Sequence, residues 1–365
     1  MIIGVPREIK IGENRVGMLP SGVQMLVEDG HKVLVEKGAG LGSGINDRDY
    51  ISAGARIVKN AEEIYKNVEM IVKVKEPQPS EIKMLRRGQI VFCYFHFAAD
   101  KVLTRGCLKA GIIAIAYETL QDEHGRLPLL TPMSEVAGKM SVQIGARLLE
   151  KLAGGRGVLL GGVAGVEPAN VLVVGAGVVG ECAARVAAGM GANVVALDNN
   201  LDRIRYLEDV MPANVRVLYS DPHIIESYAE WADLLIGAVL LPGRRAPVLI
   251  KRSTLKKMKE GAVIVDVAID QGGCCETSRP TTHENPTYVV DGVLHYCVTN
   301  IPALVSRTST YALCNATFPY CREIANEGVT SFANKSPGRA FAINMKEGKI
   351  VNKGVAETYP DLAGL

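Results

Sequence analysis

Aromatic residues are scarce in this chain: they fill 5% of its 365 positions, with a single tryptophan. Charge of one sign is scarce too. Forty-one lysines and arginines face 39 aspartates and glutamates, for a net charge of +2, and no basic run departs from that balance. Such a chain has no broad electrostatic pull on nucleic acid or an anionic membrane, so neither is expected as a partner. Long apolar runs are also missing. None reaches the roughly 18 residues that a membrane span requires. The start, "MIIGVPREIK", lacks the charged region, apolar core and cleavage site of a secretory signal, so a cytoplasmic protein is expected. The eight cysteines, at 93, 107, 182, 274, 275, 297, 314 and 321, include no CxxC pair and no Cys/His spacing suited to zinc. No metal is expected. In a reducing compartment these thiols read as small apolar side chains, with a redox pair at Cys274 and Cys275 as the lesser alternative.

Alternation is abundant. With 48% hydrophobic and 22% charged residues the composition is that of a globular α/β enzyme, and the length exceeds what one core usually holds. "IIGVPRE", "KVLVEKG", "MIVKVKEP", "QIVFCYFHF" and "GIIAIAYE" read as strands, with helical patterns such as "PSGVQMLVEDG" and "PSEIKMLRRG" between several of them. A second block runs from "NVLVVGAGVVG" through "NVVALD", "VRVLYS", "ADLLIGAV" and "AVIVDVAID" to "HYCVTN". Between the blocks, "TPMSEVAGKMSVQIGARLLEKL" repeats Val136, Met140, Ile144 and Leu148 at i+4, a helix that Ser134 is placed to cap. "RTSTYALCNATFPYCREIANEG" is helical again, and "AFAINMKEGKIVNKG" reads as a hairpin with glycine at its turn. The expected fold is α/β: two Rossmann-like doubly wound domains, the second inserted into the first and joined to it by long helices. Residues 1–128 and 307–365 form the discontinuous domain and 129–306 the inserted one.

The most specific motif is "VLVVGAGVVG", a buried strand running into Gly175, Gly177 and Gly180 and then an alanine-rich helix. Glycines at these positions permit a tight turn, close approach of the backbone to a pyrophosphate, and packing of helix on sheet, while the helix amino end favours phosphate charge. Asp198 ends the next strand. An acid there accepts hydrogen bonds from the adenosine ribose and repels a 2′-phosphate, which argues for NAD over NADP. Arg203 cuts the other way, since an arginine near that ribose can meet a phosphate; as a helix-face charge it can equally be solvated.

Other positions are open on residue chemistry alone. His96 lies two residues beyond Tyr94, on the same face if the strand stays extended, and at the carboxyl edge of the sheet. Lys75 and Arg15 are cations that solvation would explain as well as chemistry. "VIVDVAIDQGGCCETSRPTTH" puts Asp266 and Asp270 on one face of an expected strand, with Asp270 at its carboxyl end; Asp266 reads as a satisfied structural acid.

Long stretches in order, among them "GVPREIKIGENRVGMLP", "VKVKEP", "YFHFAAD", "TPMSEVAGKMSVQIGA", "GGRGVLLGGVAGVEPANVLVVGAGVVG", "IGAVLLPGRRAPVLI" and "HYCVTNIPALVSRTSTYAL", give the chain a strong likeness to a known family. It resembles the alanine dehydrogenase and pyridine nucleotide transhydrogenase family over nearly its whole length. The resemblance implies oxidative deamination of L-alanine to pyruvate and ammonia with NAD, the reverse reductive amination, and a homo-oligomer, usually a hexamer. It implies substrate binding by Arg15 and Lys75 and acid and base roles for His96 and Asp270. It implies cofactor contacts at Ser134, Gly175, Gly177, Val178, Val179, Gly180, Asp198, Arg203, Ser220, Val239, Leu240, Val267, Ala268, Ile269, Asp270, Arg279, Val298, Thr299, Asn300 and Ile301. Family members often carry methionine where this chain has Ile301 and alanine where it has Thr299, which touches nicotinamide packing and leaves the acid, base and cations intact. Closure of the two domains on substrate is expected from the same likeness. A transhydrogenase nucleotide-binding subunit, a dehydrogenase of another small amino acid and a noncatalytic NAD sensor are the alternatives; the Arg15, Lys75 and His96 set favours a small keto acid.

Overall fold

The structure, a computed structural model, describes residues 1–239 and 245–363. It divides into two compact units, Met1–Met133 with Ala303–Leu365, and Ser134–Pro302. Among the described residues, no helix is long and apolar enough to cross a membrane.

The first unit is built on strands β1 (Ile2–Val5), β2 (Lys32–Glu36), β3 (Arg56–Val58), β4 (Met70–Val72), β5 (Ile90–Cys93) and β6 (Ile113–Ala116). All six run parallel in the order β3-β2-β1-β4-β5-β6, and β6 is joined by the antiparallel tail strand Ile343–Lys346, on which Lys349–Ile350 folds back as the edge. The short runs "MIV" and "IVFC" are buried throughout, as strands covered by helices on both faces must be. Ile71, Val91, Cys93 and Ala114 pack with Ile64, Tyr65, Leu103 and Cys107 in one core. The tail hairpin turns at Glu347 and Gly348, with φ of 56° and 75°, as its glycine predicts.

The second unit carries β7 (Asn170–Val174), β8 (Asn193–Asp198), β9 (Val215–Tyr219), β10 (Leu234–Gly237), β11 (Val263–Asp266), β12 (Thr287–Val290) and β13 (Val293–Tyr296). Their order is β12-β13-β11-β10-β7-β8-β9, parallel except for the edge strand β12. Alanines 183, 184 and 187 of the helix Val178–Gly189 are buried against Val171, Val173 and Ile236, small side chains that let helix and sheet approach closely. The helix Thr131–Leu148 starts earlier than expected. Ser134 lies in its first turn rather than at its cap, because Pro132, suited to a first turn, already sits inside it. Further along, a Cβ on Gly138 would stand 2.2 Å from the Val179 carbonyl oxygen, so this helix also packs backbone to backbone.

Both sheets are doubly wound. The chain steps outward from β1 on one side and from β4 on the other, and likewise from β7 and β10. In such sheets ligands bind outside the carboxyl ends of the strands, near the point where the strand order reverses.

Candidate functional site

Arg15, Lys75 and His96 follow β1, β4 and β5, so one parallel sheet brings all three to its carboxyl edge, at and beside the reversal between β1 and β4. Arg15 is 2% exposed. Its Nε and Nη2 donate to the two carboxylate oxygens of Glu13 at 2.7 and 2.5 Å, and Nη1 points to the sulfur of Met133 at 2.9 Å. Burial works against the guanidinium charge, but the Glu13 carboxylate more than offsets it and holds Arg15 above its ordinary pKa. The two-pronged edge expected to face a substrate is thus held by Glu13, which fixes the orientation of the group.

Lys75 is half-buried, and its backbone N–H lies 3.4 Å from the Glu8 carboxylate, which also accepts the Val74 N–H at 2.6 Å. Below it lies a charge that sequence reasoning missed. Lys73 is fully buried and donates to Glu81 at 2.7 Å, with Glu8 at 3.3 Å. Burial lowers its pKa, Glu8 and Glu81 raise it, and the net direction is upward. "VKVKEP" gave no signal of this, since two lysines with the same neighbours look alike until the fold buries one.

His96 departs from the expected strand. β5 ends at Cys93, and His96 is left-handed, φ 51° and ψ 41°, opening the short helix Phe97–Ala99. The cause is Glu118, whose carboxylate takes the N–H of Phe95 at 3.2 Å and of His96 at 2.6 Å and draws the chain out of the ladder. A left-handed histidine is uncommon. Its exposed ring still stacks on Tyr94, with centroids 5.8 Å apart and planes 5° from parallel, and Tyr94 is itself anchored by its hydroxyl on the Leu129 carbonyl at 2.5 Å.

On the second sheet the glycine turn follows β7. Gly175 has φ +92° and stands against Ala238 of the loop after β10, and a Cβ on Gly180 would lie 1.9 Å from the Gly175 carbonyl oxygen. A Cβ on Gly177 would meet nothing within 4 Å. Two glycines are therefore required by the fold, and the third leaves the helix amino end open to a ligand. Val178 is exposed and Val179 buried in the first turn of that helix. Asp198, at the end of β8, accepts the Ala176 N–H at 2.9 Å and the Asn200 N–H at 2.9 Å, tying the glycine turn to the acid. Arg203 is not a solvated helix-face charge: it donates to the Ala176 carbonyl at 2.7 Å and to Glu181 at 2.5 Å. Ser220 follows β9 and Val239 follows β10; Leu240 lies outside the described residues.

The strand expected through Asp270 stops four residues early. β11 ends at Asp266, and Val267–Gln271 is a 3₁₀ helix on which Ala268 and Ile269 are buried, Val267 is half-buried and Asp270 is exposed. Asp266 itself caps that helix, accepting the Ala268 N–H at 3.1 Å. It also accepts the Cys274 N–H at 2.9 Å and the Ser278 hydroxyl at 2.6 Å, and so is the satisfied structural acid expected. Asp266, Cys274 and Cys275 form a buried group whose ligand atoms lie within 4.8 Å of one another. The hydrogen bond to Cys275, followed by burial, pushes the Cys274 thiol well above its usual range. Arg279 is exposed and lies over the Tyr288 ring, 4.4 Å from its centroid. Val298 and Ile301 are buried after β13, with half-buried Thr299 and left-handed Asn300 between them.

A parallel sheet whose first strand empties into a glycine turn, closed by an acid at the end of the second, defines a Rossmann-like α/β protein. Family models for the alanine dehydrogenase/PNT N-terminal and C-terminal domains match residues 4–137 and 141–353. The chain belongs to the alanine dehydrogenase/PNT family. An alanine dehydrogenase of Methanococcus maripaludis is 52% identical over 360 residues, covering 98% of this chain and 96% of the relative. A solved L-alanine dehydrogenase superposes with a TM-score of 0.96 at 50% identity, each chain covered in full. A transhydrogenase from Sinorhizobium meliloti superposes at 0.81 over 97% of this chain and 99% of its own, and at 24% identity shares the fold alone.

Proposed function

We propose that this chain is an NAD-dependent alanine dehydrogenase, interconverting L-alanine with pyruvate and ammonia. The observation that carries the reading is the gathering of Arg15, Lys75 and His96 at the carboxyl edge of a doubly wound sheet, in a chain about half identical to alanine dehydrogenases. The first unit would hold the substrate. The second would hold NAD on the glycine turn, Asp198, Arg203 and the ends of β9, β10, β11 and β13, the remaining candidates from Ser134 to Ile301 lining it. Bound there, NAD supplies the acceptor for the hydride that leaves the alanine Cα.

The protein's own residues do the rest. Arg15, kept charged and oriented by Glu13, attracts the substrate carboxylate, and Lys75 places a compact positive charge beside the keto or carbinolamine oxygen. His96, held by its backbone on Glu118 and by its ring on Tyr94, takes and returns the protons of water addition and ammonia loss. Asp270 stabilises the iminium cation and shares the proton traffic. A homo-oligomeric, cytoplasmic enzyme belongs to the same reading, and light scattering after size exclusion checks the assembly.

The test is NADH absorbance with L-alanine, a panel of other amino acids, and pyruvate plus ammonia. His96→Ala and Asp270→Ala should each lower kcat about 10²–10⁴-fold, the scale of a lost general acid or base. Activity unaltered in either variant would sink the mechanism, and NAD binding with no turnover across the panel would favour a sensor.

A further inference from the structure

Glu181 is absorbed neither by the fold's packing nor by the proposed chemistry, yet both its oxygens are engaged. It lies in the first turn of the helix that opens at Gly177, 19% exposed at its side chain. Oε2 takes Arg203 Nη2 at 2.5 Å; Oε1 takes Arg185 Nε and Nη2 at 3.1 and 3.0 Å. Arg203 in turn is turned inward. Its Nε donates to the Ala176 carbonyl at 2.7 Å, and Nη2 approaches the Gly177 carbonyl at 3.3 Å. The guanidinium that follows Asp198 by five residues is thus folded back onto the glycine turn, with its charge neutralised beside it.

We infer that Glu181 sets dinucleotide specificity, by holding Arg203 on the glycine turn and away from a 2′-phosphate. The inference rests on the proposal that this unit takes NAD. Two acids then act together. Asp198 faces the ribose and repels a phosphate there directly, while Glu181 denies the phosphate the Arg203 guanidinium, which follows Asp198 by five residues. Counting the four side chains, Asp198 and Glu181 against Arg185 and Arg203, the charge around the turn sums to zero. Replacing Glu181 by a neutral isostere leaves it at +1, with Arg203 short of a carboxylate, and a phosphate dianion is the natural partner for such a group.

The experiment compares NAD(H) and NADP(H) binding by nucleotide fluorescence, with kcat/KM for each cofactor alongside, in wild type, Glu181→Gln and Glu181→Gln/Arg203→Met. Glu181→Gln should raise the NADP-to-NAD affinity ratio about tenfold, the scale of one charge-assisted hydrogen bond gained. The double variant should return the ratio to near the wild-type value, which a merely structural role for Glu181 would not produce. A ratio unmoved in Glu181→Gln, or a rise that persists without Arg203, overturns the role of Glu181. A wild type that binds neither dinucleotide overturns the cofactor assignment and this inference with it.

Discussion

The two strand edges solve recognition with different materials. At the edge of the first sheet the residues are ionic and buried: Arg15, Glu13, Glu8, Lys73 and Glu81 are all less than 9% exposed. At the edge of the second sheet they are mostly backbone, a glycine turn with open space at Gly177 and a row of small or aliphatic residues, with Asp266 the buried acid beneath. The charges of the first edge are buried, whereas those beside the glycine turn, Asp198, Glu181, Arg185 and Arg203, are half-buried or exposed and leave main-chain groups at the helix end. On the proposed function the contrast has a chemical cause. A three-carbon substrate offers little surface, so fixed charges must carry its recognition, whereas a dinucleotide offers length, and main-chain N–H groups at a helix end can meet its phosphates.

The strongest way to break this contrast is to remove charge from the first edge. Glu13→Ala strips three N–H donors of Arg15, the backbone N at 3.0 Å together with Nε and Nη2, of their carboxylate and leaves a buried guanidinium. The expected loss is about 3–5 kcal/mol of stability, measured by denaturant unfolding, because a buried cation without its anion keeps its desolvation cost. A loss below about 1 kcal/mol would mean that the pair matters no more than a surface contact.

The second edge is broken through volume rather than charge. Gly180→Ala forces a methyl to 1.9 Å from the Gly175 carbonyl oxygen, so the turn must shift; about 1–3 kcal/mol of stability and most nucleotide binding should go together. Gly177→Ala meets open space in the protein. It should leave the unfolding transition nearly in place while weakening NADH binding, since only the ligand would contest that volume. Equal effects of the two substitutions on both readouts would show that the turn does not divide into a packing glycine and a ligand-facing one.

The unequal legibility of the two edges follows from the same contrast. The glycine turn and Asp198 were readable because backbone constraints leave a sequence mark: only glycine serves at a φ of +92° or where a Cβ would collide. Capping geometry leaves less. "VIVDVAID" alternates past the real end of β11, and nothing in that period says that Asp266 will turn its carboxylate onto the Ala268 N–H and start a 3₁₀ helix. The strand expected through His96 ends early for the same kind of reason, since Glu118, 22 residues away, takes the His96 N–H. Strands β3 and β12 leave no clear period because "RIV" and "TYVV" are short and half-exposed edge segments. The burial of Lys73 was invisible because ion pairing across 65 residues, from Glu8 to Lys73, has no local period.

The smallest expected effect separates burial from charge as the cause of the first edge's behaviour. Asp29 and Arg322 form the same two-pronged pair as Glu13 and Arg15, with Nε and Nη2 on the two oxygens at 2.6 and 2.7 Å, but at a partly exposed site just before the amino end of β2. Hydrogen bonds from Arg322 and then Asn326 hold the Asp29 carboxyl well below its usual range. A carboxylate whose folded pKa is depressed stabilises the fold above its unfolded pKa, near 3.9, and loses that contribution as pH falls from there. Asp29→Asn should therefore lower the melting temperature slightly at pH 7, and by progressively less as the pH falls below about 3.9. Glu13→Ala should be the costlier of the two at pH 7. If Asp29→Asn at pH 7 were as damaging as Glu13→Ala, ion-pair geometry alone would explain the first edge, and its burial would be incidental.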